Sequence, residues 1–198
     1  MRNTREKLLA TATQMFAEHG FDGVSTRDLV YKSGVNLCTI NYYFGSKQKL
    51  YDAVIDDIVA QVKSAFVRNI DEYVSAHDKT PIERIRFALG CFFDFLFSDG
   101  ISNEMTMIVV REFISPGGGY NKIYNDIINP LKMRITRLIM DEIGVDEDAA
   151  YIRAHCIFSP VMSLRLHNSA YHRPQEFLAH AKEQILNNIE LLLYGGNK

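Results

Sequence analysis

The 198-residue sequence predicts an all-α protein of about nine helices, a small N-terminal head of three joined by a long fourth helix to a C-terminal bundle. Three observations carry this expectation. Apolar residues recur at helical spacing almost throughout, no segment alternates in the manner of a half-buried strand, and glycine, proline and short polar runs punctuate the chain at helix lengths. With 47% hydrophobic and 23% charged residues the chain can fill a sizeable core and has no disordered composition.

Leu8, Ala12, Met15, Phe16 and His19 recur at helical spacing, Asn3 is placed to cap with Glu6 three residues on, and Gly20 closes this first helix. After FDGVS, Ser25 or Thr26 can cap a second helix, which carries Asp28 in its first turn, where the helix dipole favours an acid, and turns Leu29 and Val30 inward. Gly34 ends it, and a third short helix starts at Leu37. Two short helices around a tight glycine-containing turn form a helix-turn-helix, with Val35 pointing back into the core and the second helix offering one face to a major groove.

That arrangement accounts for the mixed character of GVNLCTINYYF. On a period of 3.6 residues, Ile40 and Phe44 share the inward face, while Leu37, Cys38, Thr39, Asn41 and Tyr43 spread over the remainder. Small side chains let a helix approach base edges, amides and hydroxyls bond to bases or phosphates, and a leucine, a threonine methyl or a thiol can meet a thymine methyl. Tyr42 is open to packing on the first helix or to touching DNA.

From Ser46 a long helix follows, with the stripe Leu50, Val54, Ile58, Val62, Ala65 and Phe66. SAHDKTP reads as a linker or loop, and Pro81 opens a helix that runs through CFFDFLF to Ser98. Further helices are expected over 103–114, 121–143 with a bend at Pro130, 146–172 with a bend at Pro160, and 174–194, which closes at Gly195.

Residues 1–50 carry seven Lys and Arg against four acids, a balance of +3, which leaves −5 for the rest of a chain of net charge −2. A basic head on an acidic body suggests that only the head meets a polyanion. Cys38, Cys91 and Cys156 are odd in number and scattered, which suits reduced thiols better than disulfides or metal ligands. No signal peptide or apolar run of membrane-spanning length is present, so a cytoplasmic protein without membrane association is expected. His155 and Cys156 are adjacent and cannot face each other on a helix, His167 and His172 lack a carboxylate partner, and no nucleophile elbow, zinc motif or dinucleotide fingerprint occurs. SPGGGY follows no strand and precedes no lysine of a phosphate loop. Catalysis, cofactor and metal are therefore not expected.

LLATATQMFAEHGFDGV followed by STRDLVYKSGVNLCTINYYFGSKQKLYDAV resembles the DNA-binding head of TetR-type transcriptional regulators over roughly residues 4–60. Phe16, Gly20, Thr26, Gly34-Val35, Tyr43-Phe44, Ser46-Lys47 and Leu50 carry the resemblance. Val30, Cys38 and Asn41 depart from the commonest pattern, which has alanine, glycine or alanine, and tyrosine there. INYYFGSK is similar to a variant in a CecR-like subgroup, and REFISPGGGYNKIYNDIINPL resembles that subgroup's C-terminal domain.

The resemblance implies a DNA-binding domain over 1–50 and an effector-binding and dimerisation domain over 51–198, with helix four joining them. It implies phosphate contacts from Thr26, Tyr43 and Lys47, base-edge contacts from Arg27, Leu37, Cys38 and Thr39, and a backbone contact from Asn41, with Ser25 and Tyr42 completing the DNA-facing set. It further implies repression of a palindromic operator by a homodimer, relieved by a small apolar or aromatic effector.

Dimerisation would use the last two long helices, where Ala150, Tyr151, Ala154, Ile157, Phe158 and Val161 on one, and Phe177, Leu178, Ala181, Ile185, Ile189 and Leu192 on the next, form stripes wide enough for core and seam together. The effector candidates are Phe92, Phe95, Met105, Val109, Phe113, Tyr120, Phe158 and Met162, although such stripes are more often plain core. Arg111 and Glu112, set in MIVVREFI, would pair internally or orient a ligand. The competing reading is an all-α carrier or protein-interaction scaffold that does not bind DNA.

Overall fold

The computed structural model describes residues 4–64, 70, 73, 78–97 and 101–195. The elements are α1 (Thr4–His19), α2 (Thr26–Ser33), α3 (Leu37–Phe44), α4 (Lys47–Val62), α5 (Pro81–Phe97), α6 (Asn103–Ile114), α7 (Tyr120–Ile123), a π-helical turn (Tyr124–Ile128), α8 (Asn129–Ile143), α9 (Glu147–Tyr171), α10 (Gln175–Asn187) and α11 (Ile189–Tyr194). The fold is all-α, and the described residues include no strand. The single bent helix expected over 121–143 is three successive helical pieces, with the π-helical turn meeting α8 just before Pro130, which lies in the first turn of α8. The helix expected over 174–194 divides at Asn188. Pro160 lies inside α9. Asn3, Ala65, Phe66 and Ser98 lie outside the described residues.

The chain forms two compact units, Met1–Gln61 with Ser102–Asp126, and Val62–Ile101 with Ile127–Lys198. The first thus holds α6 and α7 together with α1 to α4. Its core is built from Leu8, Phe16, Leu29, Ile40, Leu50 and Val54, all buried, each worth about 1.5–3 kcal/mol relative to exposure. Phe16 meets the ring of Tyr51 edge-on at 5.0 Å, and Phe21 closes the cluster at 5.2 Å from Tyr51. Ser25 and Asp28 form a capping box on α2, the Asp28 N–H donating to Ser25 Oγ at 3.1 Å and the Ser25 N–H to Asp28 Oδ2 at 3.0 Å. Gly34 ends α2 at φ 67°, a left-handed conformation that a side chain would strain, and its N–H returns to the Val30 carbonyl at 3.0 Å.

In the second unit α5, α8, α9 and α10 pack through Ile85, Leu89, Phe93, Ile139, Ile157 and Val161. Lys182 Nζ donates to both oxygens of Asp94 at 2.7 Å, which ties α10 to α5, and Arg86 Nη1 reaches the Leu186 carbonyl at 3.0 Å. Tyr194 donates to Glu142 and fastens α11 to α8. The apolar stripes of α9 to α11 are divided by this packing. Ala150, Ala154, Ile157, Val161, Leu178 and Ile189 are buried within the second unit, whereas Tyr151, Phe177 and Leu192 are exposed, as are Ile152, Leu166 and Leu191.

Candidate nucleic-acid interface

The second helix of the helix-turn-helix needs a fixed start and one anchored face. Asn36 supplies the start, its Oδ1 accepting from the backbone N–H of Thr39 at 2.8 Å and from the Thr39 hydroxyl at 2.9 Å. Ile40 and Phe44 are buried as their spacing predicts, and Gly45 closes α3 at φ 79°, its N–H returning to the Asn41 carbonyl at 2.9 Å. Val35, expected in the core, is only half-buried.

With its inner face so held, α3 presents Leu37 at 49% exposure, Tyr43 at 40% and Tyr42 at 82%. Cys38 and Asn41 are exposed and Thr39 is half-buried. Tyr42 stands edge-on to Tyr43 at 5.0 Å and takes the outward of its two possible positions. No charged residue lies on α3 itself, so attraction to phosphate has to come from neighbours. Arg5, Lys7, Arg27, Lys32 and Lys49 are exposed in the same unit, with Arg5 lying over the Phe44 ring at 5.2 Å.

The other predicted contacts have local tasks as well. The Ser25 side chain is engaged in the α2 cap, and its hydrogen bonds, side chain first and backbone second, hold the Asp28 carboxyl below its ordinary range. Thr26 follows in the first turn, half-buried. Lys47 Nζ donates to the carbonyls of Phe21 at 2.9 Å and Val24 at 2.8 Å and lies over the Phe21 ring at 4.0 Å. It thereby pins the loop that delivers Ser25, Thr26 and Arg27. The signal for this, a lysine 23 and 26 residues from its partners, is invisible in sequence spacing.

Arg111 and Glu112 find partners inside the first unit. Arg111 Nε donates to the Ala17 carbonyl at 3.0 Å and Nη2 to that of Glu18 at 2.9 Å, satisfying groups at the end of α1 that have no intrahelical donor. Glu112 is 4% exposed and accepts from the Tyr51 hydroxyl at 2.5 Å and from the Gly117 N–H at 2.9 Å. Burial, and after it the bond to Glu112, pushes the Tyr51 phenol well above its ordinary range. At Gly119 a Cβ would come within 2.6 Å of Ile55 Cδ1, so the SPGGGY loop lies against α4 because it lacks side chains there. Lys122 pairs with Asp56 beside it.

The remaining effector candidates divide between the units. Met105, Val109, Phe113 and Tyr120 belong to the first, where Phe113 and Tyr120 meet at 5.3 Å. Phe92, Phe95, Phe158 and Met162 belong to the second, where Phe92 and Phe158 meet at 5.6 Å. Among the described residues no group of three or more His, Cys, Asp or Glu could hold a metal ion, and no helix is long and apolar enough to cross a membrane.

Comparison with known proteins agrees with this geometry. Residues 8–54 match the family of bacterial regulatory proteins described as the tetR family, and residues 81–192 match the C-terminal domain of the HTH-type transcriptional dual regulator CecR. The CecR dual regulator of Shigella flexneri is 28% identical over 170 residues, covering 82% of this chain and 75% of its own. A TetR-like regulator from Rhodococcus sp. RHA1 superposes with a TM-score of 0.69 over 99% of this chain and 97% of its own at 16% identity. FadR of Bacillus subtilis, solved with stearoyl-CoA, gives 0.62 over 96% and 97% at 16% identity. The chain belongs to the tetR family of ligand-responsive, DNA-binding transcriptional regulators, which are not enzymes, and its C-terminal domain is of the CecR type.

Proposed function

We propose that this protein is a homodimeric repressor that leaves a near-palindromic operator when a small apolar or aromatic effector binds. The observation that carries the DNA-binding part is α3, whose buried Ile40 and Phe44 leave Leu37, Cys38, Asn41, Tyr42 and Tyr43 exposed on a helix free of acidic groups. Exposed Tyr151, Ile152 and Leu166 on α9, Phe177 on α10, and Leu191 and Leu192 on α11 support self-association through those helices.

The effector is assigned to Phe92, Phe95, Phe158 and Met162. Thr136, on α8 packed against α5 and α9, is 3% exposed, and among the described residues its hydroxyl has no hydrogen-bond partner, which makes it a polar group of the kind that orients a ligand in an apolar site. The stearoyl-CoA complex of FadR, a fold neighbour, supports an apolar effector. Arg111 and Glu112 keep the framework role that their bonds describe.

The test is fluorescence anisotropy of the dimer with the duplex immediately upstream of its own gene, over a salt series. Salt-dependent binding, with footprints on two half-sites about 34 Å apart, supports the reading. Binding by a monomer at one unsymmetrical site, or none, overturns it. Effectors are then screened by thermal shift among fatty acids, acyl-CoAs and aromatic compounds, and one that binds should lower operator affinity about 5- to 150-fold. Because the CecR relative is described as a dual regulator, a transcription assay decides the sign of the control.

A further inference from the structure

Asn36 does more than start α3. The atom that receives the Thr39 backbone N–H at 2.8 Å is its carbonyl oxygen, since the amide nitrogen does not accept. The Thr39 hydroxyl lies 2.9 Å from that same oxygen. As Oδ1 carries no hydrogen, the proton in this second contact is the hydroxyl's own. Thr39 Oγ1 therefore donates inward to Asn36 and has only lone pairs to offer outward.

We propose that Asn36 makes Thr39 an acceptor-only reader of the major groove, which selects adenine or cytosine over guanine at the base it faces. Adenine and cytosine present exocyclic amines, N6 and N4, that can donate to Oγ1, whereas guanine presents N7 and O6, both acceptors. A guanine there would set lone pair against lone pair and leave acceptors desolvated without donors. Asn36 is the positioning residue and Thr39 the reading residue. The inference rests on the DNA-binding reading above together with the base-edge contact expected of Thr39, a half-buried residue of the same helix, and adds the polarity of that contact.

The experiment selects duplexes from a pool randomised across the half-site, using the full chain, and sequences the bound fraction. The wild type should deplete guanine about fivefold or more at one position of each half-site, the low end for a specific base contact. Thr39→Val keeps the shape without the lone pairs and should lose the discrimination there while the other positions are unchanged. Asn36→Gly, a tolerated cap without Oδ1, frees the hydroxyl to donate and should bring guanine within about twofold of the preferred base. Asn36→Asp and Thr39→Ser, which retain the inward bond, should keep the wild-type preference.

Enrichment of guanine by the wild type at the position that Thr39→Val alters would overturn the inference. So would guanine depletion that persists in an Asn36→Gly variant with unchanged circular dichroism. If that variant fails to fold, loss of the depletion in Thr39→Ser overturns it instead. Absence of salt-dependent binding to any duplex is a different result, since it removes the DNA-binding reading itself and this inference with it.

Discussion

The Tyr51 hydroxyl on α4 donates to the buried carboxylate of Glu112 on α6 at 2.5 Å, although 61 residues separate them in the chain. A second donor, the Gly117 N–H, reaches the other carboxylate oxygen at 2.9 Å. One side chain thus fastens α6 and the loop after it to the helix that follows the helix-turn-helix.

Tyr51→Phe should destabilise the protein by about 1.5–3 kcal/mol, because a buried charged acceptor loses one of its two donors. Glu112→Ala should do at least as much, leaving the hydroxyl and the Gly117 N–H without an acceptor. Glu112→Gln should be the mildest of the three, since its oxygen can face Gly117 while the Tyr51 hydroxyl turns to accept from the amide. Urea denaturation ranks them, and a Glu112→Gln variant as unstable as Glu112→Ala would contradict the assigned geometry.

The same bond has a pH signature. Tyr51 holds its proton more tightly folded than unfolded, so its contribution to stability is complete below the unfolded phenol pKa of about 10 and declines as pH rises above it, the unfolded chain ionising first. Tyr194, pushed up to about 12 by its bond to Glu142 ahead of desolvation, acts in the same direction. Melting temperatures between pH 9 and 11 (on the order of the tyrosine range) should fall less steeply in Tyr51→Phe than in the wild type, and less steeply again in Tyr51→Phe with Tyr194→Phe. Identical slopes in all three proteins would show that neither phenol is linked to folding.

Lys47→Met removes the cation, and with it the Nζ that lies over the Phe21 ring, while keeping an unbranched side chain of similar length. The Val24 carbonyl loses its lysine donor and the Phe21 carbonyl keeps only the long bond from the Val24 N–H at 3.4 Å, with an expected loss of about 1–3 kcal/mol in stability. Operator affinity should weaken alike for all sequences, with the salt dependence flattened by about one phosphate. Anisotropy on operator and scrambled duplexes checks this, and a change of base preference would place Lys47 at the bases.

The outer and inner residues of α9 should respond differently. Ile152→Arg, at 61% exposure, should change the stability of the protomer by no more than about 0.5 kcal/mol yet shift sedimentation from dimer to monomer and weaken operator binding. Ile157→Arg, in the buried half of the stripe, should prevent folding. An Ile152→Arg protein that remains a dimer would move the interface elsewhere.

Local chemistry let the sequence by itself determine much of the head: the start of α2 at Ser25 or Thr26, the glycine turn at Gly34 and the inward pair Ile40 and Phe44 all depend on groups within a few residues of one another, whereas the choice of Ser25 as the cap and the half-burial of Val35 were decided by the structure. Helix spacing likewise determined the all-α class and placed α5, α6 and α9 close to their observed bounds. Tertiary structure decided the partners of Arg111, Glu112 and Lys47, because a charge within an apolar helix announces that it needs a partner and not which carbonyl or hydroxyl, 23 to 94 residues away, will be brought to it. It also decided which half of each wide stripe on α9 and α10 is core, since a helix apolar over more than one face carries no mark of the side its own unit covers. The direction of the Thr39 hydroxyl is of the same kind. Sequence places a hydroxyl on the outer turn of α3, but only the position of Asn36 Oδ1 determines where its proton goes.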